Sequence, residues 1–331
     1  MGGRSSEHEI SVGSAQSVAE GLDHDRYEVA TIEIDREGRW ALPAEGRREI
    51  ARGPAETLPI PTESRPPESL STVDVVLPIL HGPFGEDGTV QGLLELAGVP
   101  YVGAGVAASA LCMDKDLFKA VLRDRGIHVA RNVTLRLGDE IRHPFAYPVF
   151  VKPARLGSSV GISKVQGQDE LGPAVALARR HDEKVLIEEF VAGRELECGV
   201  LGNLDSPPVA SVVGEIVPQS AEWYDYGAKY DEGGSDIVIP ASIDDRVAAR
   251  VQTLAVESFV ATECEGMARI DFFLRDGGEV VVNEINTIPG FTPTSVYAKL
   301  FEASGIPYGD LLDRLIALAL ERHERRSQLL Y

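Results

Sequence analysis

Two strand-like runs between Met267 and Asn286, MARIDFFLR and EVVVNEIN, flank Asp276-Gly277-Gly278 and carry the residues with the clearest chemical promise. A Gly-Gly pair suits a two-residue hairpin turn, because both central positions of a type I′ turn need positive φ. With Gly277 and Gly278 in the turn, Asp276 faces Glu279. Counting back sets Asp271 opposite Glu284 and Arg269 opposite Asn286, and the two-residue period of a strand puts all four on one face. Carboxylates directly across a strand pair lie roughly 5 Å apart at Cβ and repel unless something compensates them. A hard cation, Mg²⁺ or Mn²⁺, would do so, with the Asn286 amide oxygen and phosphate oxygens completing its shell. The alternative is a solvent-facing acidic pair neutralised by Arg269.

A second group lies upstream in PVFVKPARLGSSVGISKV, where a strand-like run ends at Lys152 and the loop Gly157-Ser158-Ser159-Val160-Gly161 follows. Small residues let backbone amides approach phosphate oxygens, and the lysine supplies a point charge. The loop lacks the GK[ST] ending of a P-loop.

The elements that must position these groups alternate along the chain. Apolar runs of strand length (73–80, 185–187, 209–217) are interleaved with helical stretches (107–125, 244–264). That alternation indicates an α/β or α+β protein. Leu311, Leu312, Leu315, Ile316, Leu318 and Leu320 recur at helical spacing before a basic run, which predicts a packed terminal helix. The stretch 43–71 is rich in Pro, Glu, Arg and Ser and reads as surface connection. Met1 leads straight into Gly2 and Gly3, so the strand that normally feeds such a glycine turn is expected to be missing.

The length of 331 residues predicts two or three domains, and 44% hydrophobic residues suffice for their cores. A formal charge of −20 disfavours nucleic acid and anionic membrane as partners. Of seven lysines, Lys115, Lys152 and Lys229 fall inside motifs. Cys112, Cys198 and Cys264 are widely spaced and form no CxxC pair, so neither a disulfide framework nor a zinc site is expected. With no leader-like opening and no long uncharged apolar stretch, the expected location is cytoplasmic.

Taken in order, GGRSSEHEIS, HGPFGEDGTVQGLLELAGVPYVGAG, MDK, VKPARLGSSVG, IEEFVAGRE, YDYGAKY, ARIDFF and NEINTIPGFTPTS resemble the successive motifs of D-alanine-D-alanine ligases of the ATP-grasp superfamily. The resemblance spans nearly the whole chain. It implies an ATP-grasp fold of three α/β domains (1–103, 104–192 and 193–331), a lid at 218–235, and ATP between the central and C-terminal domains. It further implies that Lys115 and Lys152 meet ATP phosphates, that Glu188, Phe190 and Val191 meet the adenine, that Glu195 meets the ribose, and that Lys229 of the lid meets the nucleotide. Asp271, Glu284 and Asn286 would hold two Mg²⁺ or Mn²⁺ ions.

By the same resemblance, Glu9, linked through Ser158 to Tyr230, anchors the ammonium of a first D-alanine, with His81 nearby. Arg269 and the Gly290 amide would stabilise the tetrahedral intermediate. Ser295 would receive the second substrate's carboxylate. Its neighbour Val296 is smaller than the Leu or Met found there in the family. The implied reaction joins two D-alanines through an acyl phosphate for peptidoglycan synthesis, in a homodimer. Alternatives are D-serine or D-lactate as second substrate, although the Lys229-Tyr230 pair argues for an amine nucleophile, or a nucleotide-binding protein without the chemistry.

Overall fold

The computed structural model describes residues 1–41, 73–218 and 235–330. The 43–71 connection, most of the expected lid, and Lys229 and Tyr230 with it lie outside these residues.

At the N-terminus, helix α1 (His8–Gly21) precedes a two-stranded ribbon of β1 (Glu33–Ile34) and β2 (Trp40–Ala41). Met1–Gly3 lie parallel to β1: Gly3 donates to the Ile34 carbonyl at 2.7 Å, and Ile34 donates to the Met1 carbonyl at 2.8 Å. A remnant of the strand expected to be missing is therefore present. The strand expected at 73–80 shrinks to one parallel bridge, Val76 to Tyr101. Pro78 has no N–H for a ladder, and the amides of Ile79 and Leu80 turn back onto Leu77 and Pro78.

After α2 (Thr89–Ala97), the helix expected at 107–125 is split into α3 (Val106–Met113) and α4 (Lys115–Asp124). Asp114 causes the break. Its backbone is extended and its carboxylate accepts from the amides of Asp116 and Leu117, both at 3.2 Å, so it acts as an N-cap. Lys184 pins that carboxylate at 2.8 Å. Lys115 consequently starts a new helix, and Lys119 follows one turn later on the same face.

Strands β3 (Asn132–Leu135), β4 (Val149–Pro153), β5 (Ser163–Val165) and β6 (Val185–Glu189) form an antiparallel sheet in the order β3-β6-β4-β5, covered by α5 (Gln168–Ala178). Strands β7 (Arg194–Gly202), β8 (Val209–Pro218), β9 (Ser235–Val238), β10 (Gly266–Leu274) and β11 (Val280–Asn286) form a second, in the order β11-β10-β7-β8-β9. One face of this sheet, with Cys198, Val200, Ala268 and Ile270, packs on α3, α4 and α6 (Asp245–Ala261). On the other face Met267 meets α7 (Val296–Ala303) and the predicted terminal helix, α8 (Tyr308–Ser327). Arg269 and Asp271 continue along that second face, beyond the helices.

The β10–β11 hairpin corrects the expected turn while keeping the expected pairs. Gly278 donates to the Arg275 carbonyl at 2.8 Å and Arg275 donates to Glu279 at 3.0 Å, so the loop is the three residues Asp276–Gly278. Gly278 takes the left-handed φ of +80° that such loops require. This offsets the ladder by one, as in Leu274 with Val280. A bulge at Asn283 then cancels the offset, leaving Asp271 opposite Glu284 and Arg269 opposite Asn286.

Candidate active site

A cavity of about 360 Å³ lies between the two sheets. Its floor is built from adjacent strands: Lys152 on β4 and Glu188 on β6 point the same way, because Phe150 is the register partner of Glu188 and Lys152 follows two residues later. Lys152 Nζ lies 2.5 Å from one Glu188 oxygen, and Lys119 donates to the other. Burial raises the affinity of Glu188 for a proton, but the two lysines outweigh it and hold the carboxyl below its ordinary range. Lys115 donates to the Leu156 carbonyl at 2.8 Å and reaches within 4.0 Å of Glu284. Half-exposed Phe190 stands 6.1 Å from Phe150, and with Val191 and Glu195 it lines the far wall.

At the loop end, Ser158 and Ser159 occupy the left-handed region at φ of 52° and 57°, which non-glycine residues rarely adopt. Ser158 Oγ is tied there by donating to a carboxylate, which belongs to Glu7 and not to the expected Glu9. Glu7 is buried just ahead of α1, whereas Glu9 points to solvent and pairs with Arg36 at 2.8 Å. The helix itself gives the reason. Residues 7, 11, 14 and 18 form its inward stripe, with Ser11, Ser14 and Val18 buried, and position 9 falls off that stripe. Gly82 closes over Glu7: at φ +76° a Cβ there would sit 2.5 Å from Glu7 Oε2.

His81 is buried behind this carboxylate. Its Nδ1 lies 3.0 Å from the Ile288 carbonyl and its Nε2 lies 3.2 Å from Ser14 Oγ. Burial pulls its pKa down to about 4, so the ring is neutral near pH 7. Glu86 accepts from the amides of Gly82 at 2.7 Å and Ile288 at 3.3 Å. Burial, with Glu7 adding repulsion, pushes its pKa up to about 8.

Along the hairpin, Arg269 makes a two-pronged contact with Asp271, at 2.7 and 2.8 Å, and lies 3.1 Å from Glu197. The Asn286 amide donates to Asp271 at 3.0 Å. Among the described residues no group of three or more His, Cys, Asp or Glu side chains is gathered as a metal site. The donor set nonetheless suits a hard cation: two carboxylates paired across the strands and an amide that can turn its oxygen inward. Beyond β11, the Gly290 Cα faces Ser295, whose Oγ would be 3.2 Å from an added Cβ. Ser295 precedes α7, with its Oγ accepting from the Thr292 amide at 3.0 Å, and Val296 is half-buried beside it.

The structure thus gathers Lys115, Lys152, Glu188, Phe190, Val191, Glu195, Ser158 and Glu284 around one cavity, with Arg269, Asp271 and Asn286 along the adjoining strand pair. Sequence reasoning missed Glu7, Glu86 and Lys119. The stripe on α1 could have found Glu7, and the i, i+4 spacing from Lys115 could have flagged Lys119. Nothing in the local sequence distinguishes Glu86.

A family model described as D-ala D-ala ligase N-terminus matches residues 1–104, and one described as D-ala D-ala ligase C-terminus matches residues 121–317. The chain belongs to the D-alanine-D-alanine ligase family. A D-alanine-D-alanine ligase from Mycolicibacterium smegmatis is 48% identical, the match covering 97% of this chain and 94% of the relative. Solved ligases of the family superpose along the whole molecule. One from Coxiella burnetii gives a TM-score of 0.82 at 39% identity, covering 99% of this chain and 94% of its own. The VanG D-Ala:D-Ser ligase from Enterococcus faecalis gives 0.82 at 36%, covering 96% and 97%. A Bacillus anthracis ligase complexed with ATP gives 0.77 at 28%, covering 98% and 97%. The fold shared with these ligases is the ATP-grasp fold.

Proposed function

We propose that this chain joins two D-alanines into D-alanyl-D-alanine, consuming one ATP and releasing ADP and phosphate, as a step in peptidoglycan precursor synthesis. The observation that carries this reading is the meeting of Glu7 with Ser158, which brings a buried carboxylate against the phosphate-type loop. A carboxylate in that position suits an ammonium group, and an amino acid held by its ammonium there presents its own carboxylate to the nucleotide's phosphates.

In this scheme the purine lies by Glu188, Phe190 and Val191, and Glu195 takes the ribose. Lys115, Lys152 and the 157–161 loop receive the triphosphate. A carboxylate oxygen of the first D-alanine attacks the γ-phosphorus and ADP leaves, giving an acyl phosphate. The amine of the second D-alanine, having lost a proton, attacks the acyl carbon; the C–O bond breaks and phosphate departs. Arg269 and the Gly290 amide face the oxyanion of that step. Ser295, at the start of α7, receives the second carboxylate. Asp271, Glu284 and Asn286 would hold two Mg²⁺ ions, which neutralise charge on the phosphates. Lys229 and Tyr230 would join from the lid. The use of ATP supports a cytoplasmic location, and the family resemblance supports a homodimer.

A second reading, with D-serine as the second substrate, draws on Val296. A smaller side chain beside Ser295 leaves room for a hydroxymethyl group, and one structural relative is named a D-Ala:D-Ser ligase. Phosphate release and product mass, measured with D-alanine alone and with added D-serine or D-lactate, decide between them. D-alanyl-D-alanine formed only with ATP and Mg²⁺ supports the proposal. Nucleotide binding without any D-alanine-dependent phosphate release overturns it.

A further inference from the structure

Among the buried groups that the reaction scheme leaves unused, Lys119 stands out. It is fully enclosed, and its ammonium donates to Glu188. Enclosing a charge is costly unless it is paired, so a lysine retained at such a site must be matched to its partner. Burial lowers its pKa to about 8 against the attraction of Glu188. Lys119 and Lys152 divide the carboxylate between them, one on each oxygen. Their circumstances differ. Lys152 lines the cavity and has a second anion to serve when a triphosphate enters, whereas Lys119 is sealed behind Glu188 on α4.

We propose that Lys119 is a positioning residue for the nucleotide base: it fixes Glu188 and keeps it anionic after Lys152 turns to the phosphates, so that the site selects a 6-aminopurine over a 6-oxopurine. The inference rests on the placement of the base at Glu188 given above. Each carboxylate oxygen has a lone pair beyond the one its lysine uses and can accept from an exocyclic N–H. A 6-oxo group would instead set a carbonyl oxygen against the carboxylate. Without Lys119, Glu188 would be left buried with a cation drawn elsewhere and would take up a proton. A protonated carboxyl donates as well as accepts, and the preference is lost.

The test compares kcat/KM for ATP and for inosine triphosphate in D-alanine-dependent phosphate release by the full chain, in wild type, Lys119→Met, Glu188→Gln and the double variant. In wild type ATP is preferred. Glu188→Gln lowers the ATP/ITP ratio by roughly tenfold or more, the range of a hydrogen bond to a charged group. Lys119→Met lowers it comparably, with the larger effect on KM for ATP, and Lys119→Arg restores part of it. Adding Lys119→Met to Glu188→Gln changes the ratio less than about twofold, because the effect runs through the carboxylate.

If Lys119→Met does not fold, the double variant, which removes Lys119 and its carboxylate partner together and leaves Lys152 lining the cavity, decides the matter against Glu188→Gln alone. Equal ratios support the proposal and a further fall overturns it. An unchanged ratio in folded Lys119→Met, with Glu188→Gln altered, overturns this proposal alone. An unchanged ratio in Glu188→Gln removes the base from this site and the proposal with it.

Discussion

Two neighbouring charge clusters, one at the cavity and one along the adjoining strand pair, are built from the same kinds of side chain in opposite proportion. At the base end, among the described residues, two lysines share one carboxylate, Glu188. At the hairpin end Asp271, Glu197 and Glu284 surround Arg269, with Lys115 no nearer than 4.0 Å to Glu284. Around Glu188 positive charge therefore exceeds negative and around Arg269 the reverse, with Glu284 of the second group lining the same cavity of about 360 Å³ as Glu188. A protein holding only a compact anion would need the first and would be harmed by the second. A polyanion accompanied by divalent cations needs both.

The contrast breaks most visibly at Glu284. Glu284→Gln removes carboxylate from the acidic end, and turnover should fall at least about 10²-fold, while thermal stability shifts by no more than about 1 kcal/mol. Near-wild-type phosphate release would refute the assignment. Arg269→Ala should lower kcat roughly 10²-fold if its guanidinium serves the oxyanion. It should also cost about 3 kcal/mol of folding stability, because Asp271 and Glu197 lose their buried partner. A loss confined to D-alanine KM would make it a substrate-positioning group.

A smaller effect separates Glu7 from Glu9. Glu7→Gln should reduce kcat/KM for D-alanine about 10- to 100-fold, in line with a charged hydrogen bond. Glu9→Gln should stay within about twofold, since among the described residues it pairs with exposed Arg36. Reversal of that order would return the ammonium site to Glu9.

The smallest effect concerns His81. The unfolded chain protonates this histidine near pH 6.5, whereas the folded protein does so only near pH 4. Protons therefore pull toward the unfolded state as pH falls through that window. Between pH 7 and 5 the wild type should lose about 2 kcal/mol more stability than His81→Gln, measured by urea unfolding. Parallel pH profiles would mean that the folded protein takes up a proton on this ring as readily as the unfolded chain does.

Much of this was legible in the sequence because strand periodicity is strict. The pairs Asp271/Glu284 and Arg269/Asn286 were countable from the turn, although the count succeeded through two compensating offsets, a three-residue loop and the bulge at Asn283. Helical surroundings were less readable. Glu7 and Glu9 differ by two residues in one motif, and only the direction of α1 against Ser158 separates them. Asp114 looked like one more residue in a continuous helix until its side chain capped the next one. Glu86 owes its interest to long-range contacts, which no local pattern encodes, and Lys119 shows locally only as the lysine one helical turn beyond Lys115.

The most direct test of the opposed charges is Mn²⁺ binding, followed by electron paramagnetic resonance in the presence of a non-hydrolysable ATP analogue. Wild type should bind Mn²⁺ together with the analogue, and Glu284→Gln should bind the analogue while losing the protein-bound Mn²⁺ signal. A Glu284→Gln variant that retained that signal undiminished would contradict a metal site at the hairpin.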